Sequence, residues 1–203
     1  LGLRHALFVV ICGTSSFNFG FFFGTKGRFI PTRSSCTECS EGIGYAYEAS
    51  KVGIQDMMIA GVAEVLYATQ AAVFDTLFAT STRNNAPTTS PRPFDKDRDG
   101  LVIGEGACTL ILEELEHAKA RGAKIYAELV AYHCNSDGSH ITQPNKETMK
   151  VAMSKALESA ELDASAIGYI NAHGTATDRG DVAESLATQD VFGSKTPISS
   201  LKS

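Results

Sequence analysis

The chain has 203 residues, 43% hydrophobic and 20% charged, with a formal net charge of -5. That composition is globular, long enough for one large domain or two small ones around a real core. The acidic balance and the lack of a long Lys/Arg cluster argue against a nucleic-acid groove, and the basic residues Lys119, Arg121 and Lys124 read as a solvated helix end.

From the N-terminus, the apolar run 6–12 falls short of the roughly 20 residues a bilayer span needs, so it reads as a buried strand or helix and no membrane partner is expected. The run 27–32 favours a strand and leads through Cys36 into an amphipathic helix over 40–52, with Ile43, Ala46, Tyr47 and Ser50 on one face. A strand is expected at 56–60 and a helix at 69–80. Residues 81–100 hold three of the six prolines and read as the main loop, anchored by Phe94. Beyond it come a strand at 109–112, a helix at 113–121 closed by Gly122, and a strand at 125–132. The helix expected at 146–160 lines up Met149, Ala152, Met153, Ala156 and Leu157. A strand at 168–172, a helix at 178–192 closed by Gly193, and a strand at 197–201 complete the pattern. Strands alternating with helices predict an α/β architecture. Leu1 in place of methionine, and an end at Ser203 inside an expected strand exit, predict an internal fragment.

Five cysteines at irregular spacing, Cys12, Cys36, Cys39, Cys108 and Cys134, do not form a secreted disulfide framework and favour a reducing cytoplasm. Cys36 lies between the β-favouring run and the helix, where the unpaired amides of a helix start favour thiolate. With Cys39 it makes a Cys-x-x-Cys, readable as one nucleophile with a bystander, as a redox pair, or as two inert thiols. Zinc would need two more ligands, and Cys12, Cys108 and Cys134 come singly.

Asp95, Asp97, Asp99 and Gly100 open like a calcium loop, but Gly106 stands where the bidentate glutamate belongs. A charged turn knit by Asp and Arg is the better reading. His173 ends the strand expected at 168–172, and Gly174 lets a substrate approach while Thr175 and Thr177 offer hydroxyls. His117 reads as solvent-facing, and His5, His133 and His140 have no evident partners. Asp181 and Glu184 share a helix face and are placed to hold Lys202. A poised thiol and a strand-end histidine suggest acyl transfer through a thioester.

Taken in order, Ser34-Ser-Cys36-Thr with Gly42-Ile-Gly, Asp56-Met-Met-Ile-Ala-Gly61, Pro93-Phe-Asp with Arg98-Asp-Gly and Gly104-Glu-Gly-Ala107, Ala172-His-Gly-Thr-Ala-Thr177 with Gly180-Asp181, and Ser200-Leu-Lys-Ser203 resemble the β-ketoacyl-acyl carrier protein synthases. The resemblance runs from about Lys26 to the end. It implies an incomplete thiolase-like layered α-β-α fold, with residues 1–123 in the half that carries the nucleophile and 124–203 opening the half that carries the first histidine motif. It implies decarboxylative condensation of an acyl-enzyme thioester with a malonyl thioester, on an acyl carrier protein with its phosphopantetheine arm, by a homodimer needing no metal or nucleotide cofactor. Under it Cys36 accepts the acyl chain, His173 assists decarboxylation, Thr175 and Thr177 bind the arm, and Lys202 with Glu184, beside Asp181, forms a supporting ion pair.

Glu38 and Cys39 depart from the family, which carries a small residue and then glycine there. The carboxylate is expected to oppose thiolate formation and the second sulfur to trap the first as a disulfide. The family's second histidine would lie past Ser203, so the fragment alone is expected to be inactive. A non-catalytic chain-length-type partner subunit and a dithiol oxidoreductase using Cys36 and Cys39 stay open.

Overall fold

The computed structural model describes residues 15–139 and 142–203, so the apolar run 6–12 with Cys12, and His5 and His140, lie outside the described residues. In chain order come α1 (Ser15–Phe23), a 3-10 turn (Ser35–Thr37), α2 (Glu38–Lys51), β1 (Met57–Glu64), α3 (Ala68–Thr76), a 3-10 turn (Pro87–Thr89), β2 (Gly106–Glu113), α4 (Leu115–Ala120), α5 (Lys146–Ala160), a 3-10 turn (Ala164–Ala166), β3 (Ile170–Asn171), α6 (Asp178–Phe192) and β4 (Ile198–Ser199). They form two compact units. One takes Leu1–Glu64, as far as it is described, with Gly106–Tyr132; the other takes Val65–Glu105 with His133–Ser203.

In the first unit β1 and β2 pair antiparallel over their whole length, from Met57 opposite Glu113 to Glu64 opposite Gly106. Glycine is required inside this ladder, because a Cβ on Gly61 would lie 2.1 Å from the Cys108 carbonyl oxygen. Helix α2 packs on the sheet through small residues: Gly44, Ala46 and Ala49 are buried, and a Cβ on Gly42 would stand 4.0 Å from the Gly61 carbonyl oxygen. Past β2, the Glu114 carboxylate accepts the His117 amide at 2.8 Å and caps α4. Glu113, the last residue of β2, takes Arg121 at 2.7 and 2.6 Å and the His117 ring at 2.5 Å, tying the strand end to the helix.

In the second unit β3 and β4 are parallel, Ile170 opposite Ile198, with α6 as the crossover. Helix α5 starts where the Asn145 side chain accepts the Glu147 amide at 2.8 Å. Its half-buried stripe of Met149, Ala152, Met153, Ala156 and Leu157 is the one the sequence lined up, and α5 packs on α6, whose buried residues are Asp181, Ala183, Ala187 and Thr188. Lys146 and Lys150 add ion pairs to Asp190 of α6 at 2.9 and 3.3 Å.

Several expected elements differ. Segments 27–32 and 125–132 have no ladder partner among the described residues. A β-favouring run becomes a strand only when a neighbouring edge takes its amides, and Pro31 removes one donor. The 125–132 segment is held by side chains instead: the Tyr47 hydroxyl donates to the Val130 carbonyl at 2.7 Å, and the Tyr132 ring lies where a Cβ on Gly44 would be, 2.3 Å away. The helix expected at 69–80 stops at Thr76, because Phe78 turns left-handed (φ 53) and Thr80 bridges Leu101. The helix expected at 113–121 contracts to Leu115–Ala120, since Glu113 is the last rung of the β ladder. Among the described residues no helix is long and apolar enough to cross a membrane.

Candidate active site

Cys36 belongs to the first unit. It is exposed, in the 3-10 turn that runs directly into α2, one residue before the helix N-cap at Thr37. Ser35 is left-handed (φ 57), a conformation that costs a non-glycine residue and so marks this turn as constrained. The Thr37 hydroxyl fastens the turn, shared between the Ser34 carbonyl at 3.1 Å and the Glu41 carboxylate at 3.3 Å. The N-cap residue Thr37 gives α2 no side-chain cap, while Glu38 and Glu41 place two negative charges in its first turn. Burial, and then the Cys108 thiol, push the Cys39 thiol above its ordinary range. Cys36 and Cys39 are both free, and the sulfur that Cys39 senses is Cys108 on β2.

The second unit gathers His173, Thr175, Thr177, Asp181, Glu184 and Lys202. The strand β3 ends at Asn171, and the chain then turns sharply through His173 and Gly174 (φ 40). Both amides of the turn are taken by one carboxylate, with Glu184 accepting His173 N–H at 2.7 Å and Gly174 N–H at 2.8 Å. The Ser200 hydroxyl donates to the Gly174 carbonyl at 2.8 Å. Only glycine fits at 174: a Cβ would lie 2.6 Å from Ser200 Cβ and 2.9 Å from the Phe94 ring.

Lys202 is not where the expected ion pair would put it. Glu184 is occupied by the two amides, and among the described residues no carboxylate pairs with Lys202. Its ammonium instead donates to the His173 carbonyl oxygen and stands 3.5 Å from His173 Nδ1. An ammonium has no lone pair, so the neutral tautomer that fits accepts at Nδ1 and carries its proton on Nε2. His173 is an exposed residue, yet its pKa is pushed below the ordinary imidazole value, by desolvation first and the Lys202 charge second, with Glu184 and Asp181 opposing.

Asp181, 2% exposed, joins two distant loops. It accepts the Phe94 amide at 2.7 Å and the Ala176 amide at 3.1 Å, and faces Arg98 Nε at 3.6 Å. The charged turn expected at 95–100 is therefore real, and its carboxylates have separate duties. Asp95 accepts the Asp97 amide at 2.7 Å, whereas Asp99 takes Ser81 at 3.0 and 2.9 Å and the Thr82 amide at 3.1 Å. Thr175 and Thr177 lie hydroxyl to hydroxyl at 3.0 Å. Sequence reading placed Arg98 only in its own turn. Its reach to the Thr177 and Asp178 carbonyls crosses 79 and 80 residues and leaves no local signature.

The family descriptions "Beta-ketoacyl synthase, N-terminal domain" and "Beta-ketoacyl synthase, C-terminal domain" match residues 10–118 and 126–203. The 3-oxoacyl-[acyl-carrier-protein] synthase 2 of Vibrio cholerae is 43% identical over 173 residues, covering 84% of this chain and 42% of that protein. A crystal structure of a β-ketoacyl synthase from Burkholderia phymatum superposes with a TM-score of 0.93 at 60% identity, covering 95% of this chain and 47% of that one. A type II polyketide complex, described as an acyl-carrier protein with its ketosynthase bound to the hexaketide, matches with a TM-score of 0.87 at 34% identity, over 95% of this chain and 49% of that one. The chain spans less than half the length of these relatives. What it contains has the thiolase-like α/β fold of ketosynthases, and the chain belongs to the β-ketoacyl synthase family.

Proposed function

We propose that this chain is the part of a 3-oxoacyl-acyl carrier protein synthase that carries the nucleophile and the first histidine. Cys36 Sγ attacks the carbonyl of a carrier-bound acyl thioester, and the carrier thiol leaves as the acyl-enzyme thioester forms. A malonyl thioester on a second carrier then loses its carboxylate as carbon dioxide: the C–C bond breaks and its electron pair stays on the thioester as an enolate. His173 steadies that charge, because the tautomer fixed by Lys202 presents Nε2–H as a donor to the developing oxyanion. The enolate carbon attacks the acyl-enzyme carbonyl and expels Cys36, leaving a 3-oxoacyl thioester two carbons longer. No metal or nucleotide enters these steps.

The Thr175 and Thr177 hydroxyls bind the phosphopantetheine arm. Asp181 and Glu184 hold the His173–Thr177 loop, and Lys202 orients His173. The partner is an acyl carrier protein, the complete enzyme a homodimer working in the cytoplasm, with residues 1–123 and 124–203 falling in its two halves. The observation that carries this reading is the His173 turn, built from a strand end, a doubly engaged Glu184 and a Lys202 ammonium on the imidazole. Cys36 is exposed at the start of α2, while burial and then Cys108 push the Cys39 thiol above its ordinary range, which favours a single nucleophile over a dithiol pair.

The test is incubation of the complete polypeptide with a short acyl-pantetheine thioester, followed by peptide mass spectrometry. The acyl mass is expected on the Cys36 peptide and removable by hydroxylamine. Acylation absent from Cys36, or shared equally with Cys39, defeats the reading.

A further inference from the structure

Arg98 sits 13% exposed in the turn after Phe94 and spends its guanidinium on backbone carbonyls of two loops. Nη1 donates to the Asp95 carbonyl of its own turn at 3.0 Å. The other edge crosses to the second loop, where Nε donates to the Thr177 carbonyl at 3.2 Å and Nη2 to the Asp178 carbonyl at 2.7 Å. This is the N-terminal boundary of α6, where the helix dipole disfavours a cation. Two carboxylates of that first turn offset the cost, Asp178 at 3.4 Å and Asp181 at 3.6 Å. A cation held against the dipole, by a planar fork matched to three carbonyls, is arranged for geometry.

What it fixes is the pair of hydroxyls. Ala176, between them, is fully buried and left-handed (φ 64), with its amide on Asp181 and its carbonyl accepting the Gly100 amide at 3.0 Å. The backbone on either side of the Thr177 side chain is thereby tied to the 94–100 segment. Thr175 and Thr177 lie 3.0 Å apart, so one hydroxyl donates to the other and one O–H of the pair stays available to an outside acceptor. Gly180 leaves room for them, since a Cβ there would lie 2.4 Å from Thr177 Oγ1.

We infer that Arg98 is a positioning residue for the Thr175–Thr177 hydroxyl pair, and through it for the amide-bearing arm of a pantetheine thioester. This rests on the arm-binding role given to those hydroxyls above. Lysine would keep the charge and lose the fork, so the defect belongs in binding of the arm and not in the reactivity of Cys36.

The experiment compares Arg98→Lys, Thr177→Val and the double variant in the complete polypeptide, reading KM and kcat for a pantetheine-linked acyl thioester and the rate of Cys36 alkylation by iodoacetamide. Arg98→Lys is expected to raise KM about tenfold, with kcat and alkylation within about twofold of wild type. The double variant is expected to be no worse than Thr177→Val alone, because both changes remove one interaction. A raised KM in Thr177→Val with a wild-type KM in Arg98→Lys overturns the inference and leaves the arm-binding reading standing. A wild-type KM in Thr177→Val overturns both. Additive losses in the double variant, or parallel losses of kcat and alkylation in Arg98→Lys, overturn the inference as well. Where circular dichroism shows Arg98→Lys unfolded, Arg98→Gln replaces it, and loss of folding in both reduces Arg98 to a purely structural role.

Discussion

Glu184 accepts the backbone amide of His173 at 2.7 Å, so the carboxylate braces the loop from beneath and is not the counter-ion of Lys202. Its second oxygen is spent on Gly174 at 2.8 Å. Glu184→Gln replaces one acceptor by an NH₂ pointing at an N–H, which costs about 1–3 kcal/mol in a half-buried site. Lys202→Met leaves those two hydrogen bonds intact. Urea unfolding of the two single variants and the double variant should give a coupling energy below about 0.5 kcal/mol, the value for residues that do not share an interaction. A coupling well above 1 kcal/mol would restore the ion pair.

The charge of Lys202 is instead expected to show on His173. Desolvation and that ammonium hold the imidazole pKa below its ordinary value, against the pull of Glu184 and Asp181. Removing the ammonium in Lys202→Met therefore raises the His173 midpoint, and Glu184→Gln lowers it further. Because the folded value is the depressed one, the neutral ring contributes stability that is complete above the unfolded value near 6.5 and is lost as pH falls through the folded value. NMR titration of the His173 ring protons in wild type and the two variants checks both directions. A midpoint in Lys202→Met at or below the wild-type one contradicts the assignment.

How much of this was legible in the sequence depends on range. Helices α5 and α6 match their expected bounds because the apolar stripe of the one and the Gly193 stop of the other are local signals. The 27–32 and 125–132 segments could not, since a ladder needs a partner that local propensity does not supply. The same limit applies at the site. Spacing placed Asp181 and Glu184 on one helix face, but not that amides of the preceding turn and of Phe94, 87 residues away from Asp181, would claim them before Lys202 did. Cys39 was legible as a neighbour of Cys36 in sequence, while its electrostatic neighbour Cys108 is brought close only by α2 packing on the β1–β2 pair.

Two glycines in the first unit should differ in what they tolerate. A Cβ on Gly61 meets backbone, the Cys108 carbonyl oxygen at 2.1 Å and Thr109 Cα at 2.9 Å, and neither atom can move without opening the β ladder. A Cβ on Gly44 meets the Tyr132 ring at 2.3 Å, and a side chain can rotate away at the cost of packing. Gly44→Ala is expected to cost about 1–3 kcal/mol, the usual price of overpacking, and Gly61→Ala more. Thermal unfolding ranks them, and the reverse order would mean the sheet yields more readily than the ring.

Acid should find a different weak point. Glu113 is pushed down to about 2, chiefly by the hydrogen bond from Arg121 and further by His117, against desolvation that works the other way. Its folded value is lower than its unfolded one, so its contribution is complete above about pH 4.5 and disappears as the pH falls toward 2. Glu113→Gln removes the titrating group but leaves an acceptor for Arg121. The variant should therefore be less stable than wild type at pH 7 and lose less stability on going from pH 5 to pH 2, as followed by urea midpoints at each pH. Salt should narrow the difference only partly, because the pair is held by short hydrogen bonds of 2.7 and 2.6 Å as well as by charge. An equal acid loss in the two proteins would assign the low-pH transition to other carboxylates and leave the strand-to-helix tie without a measurable role.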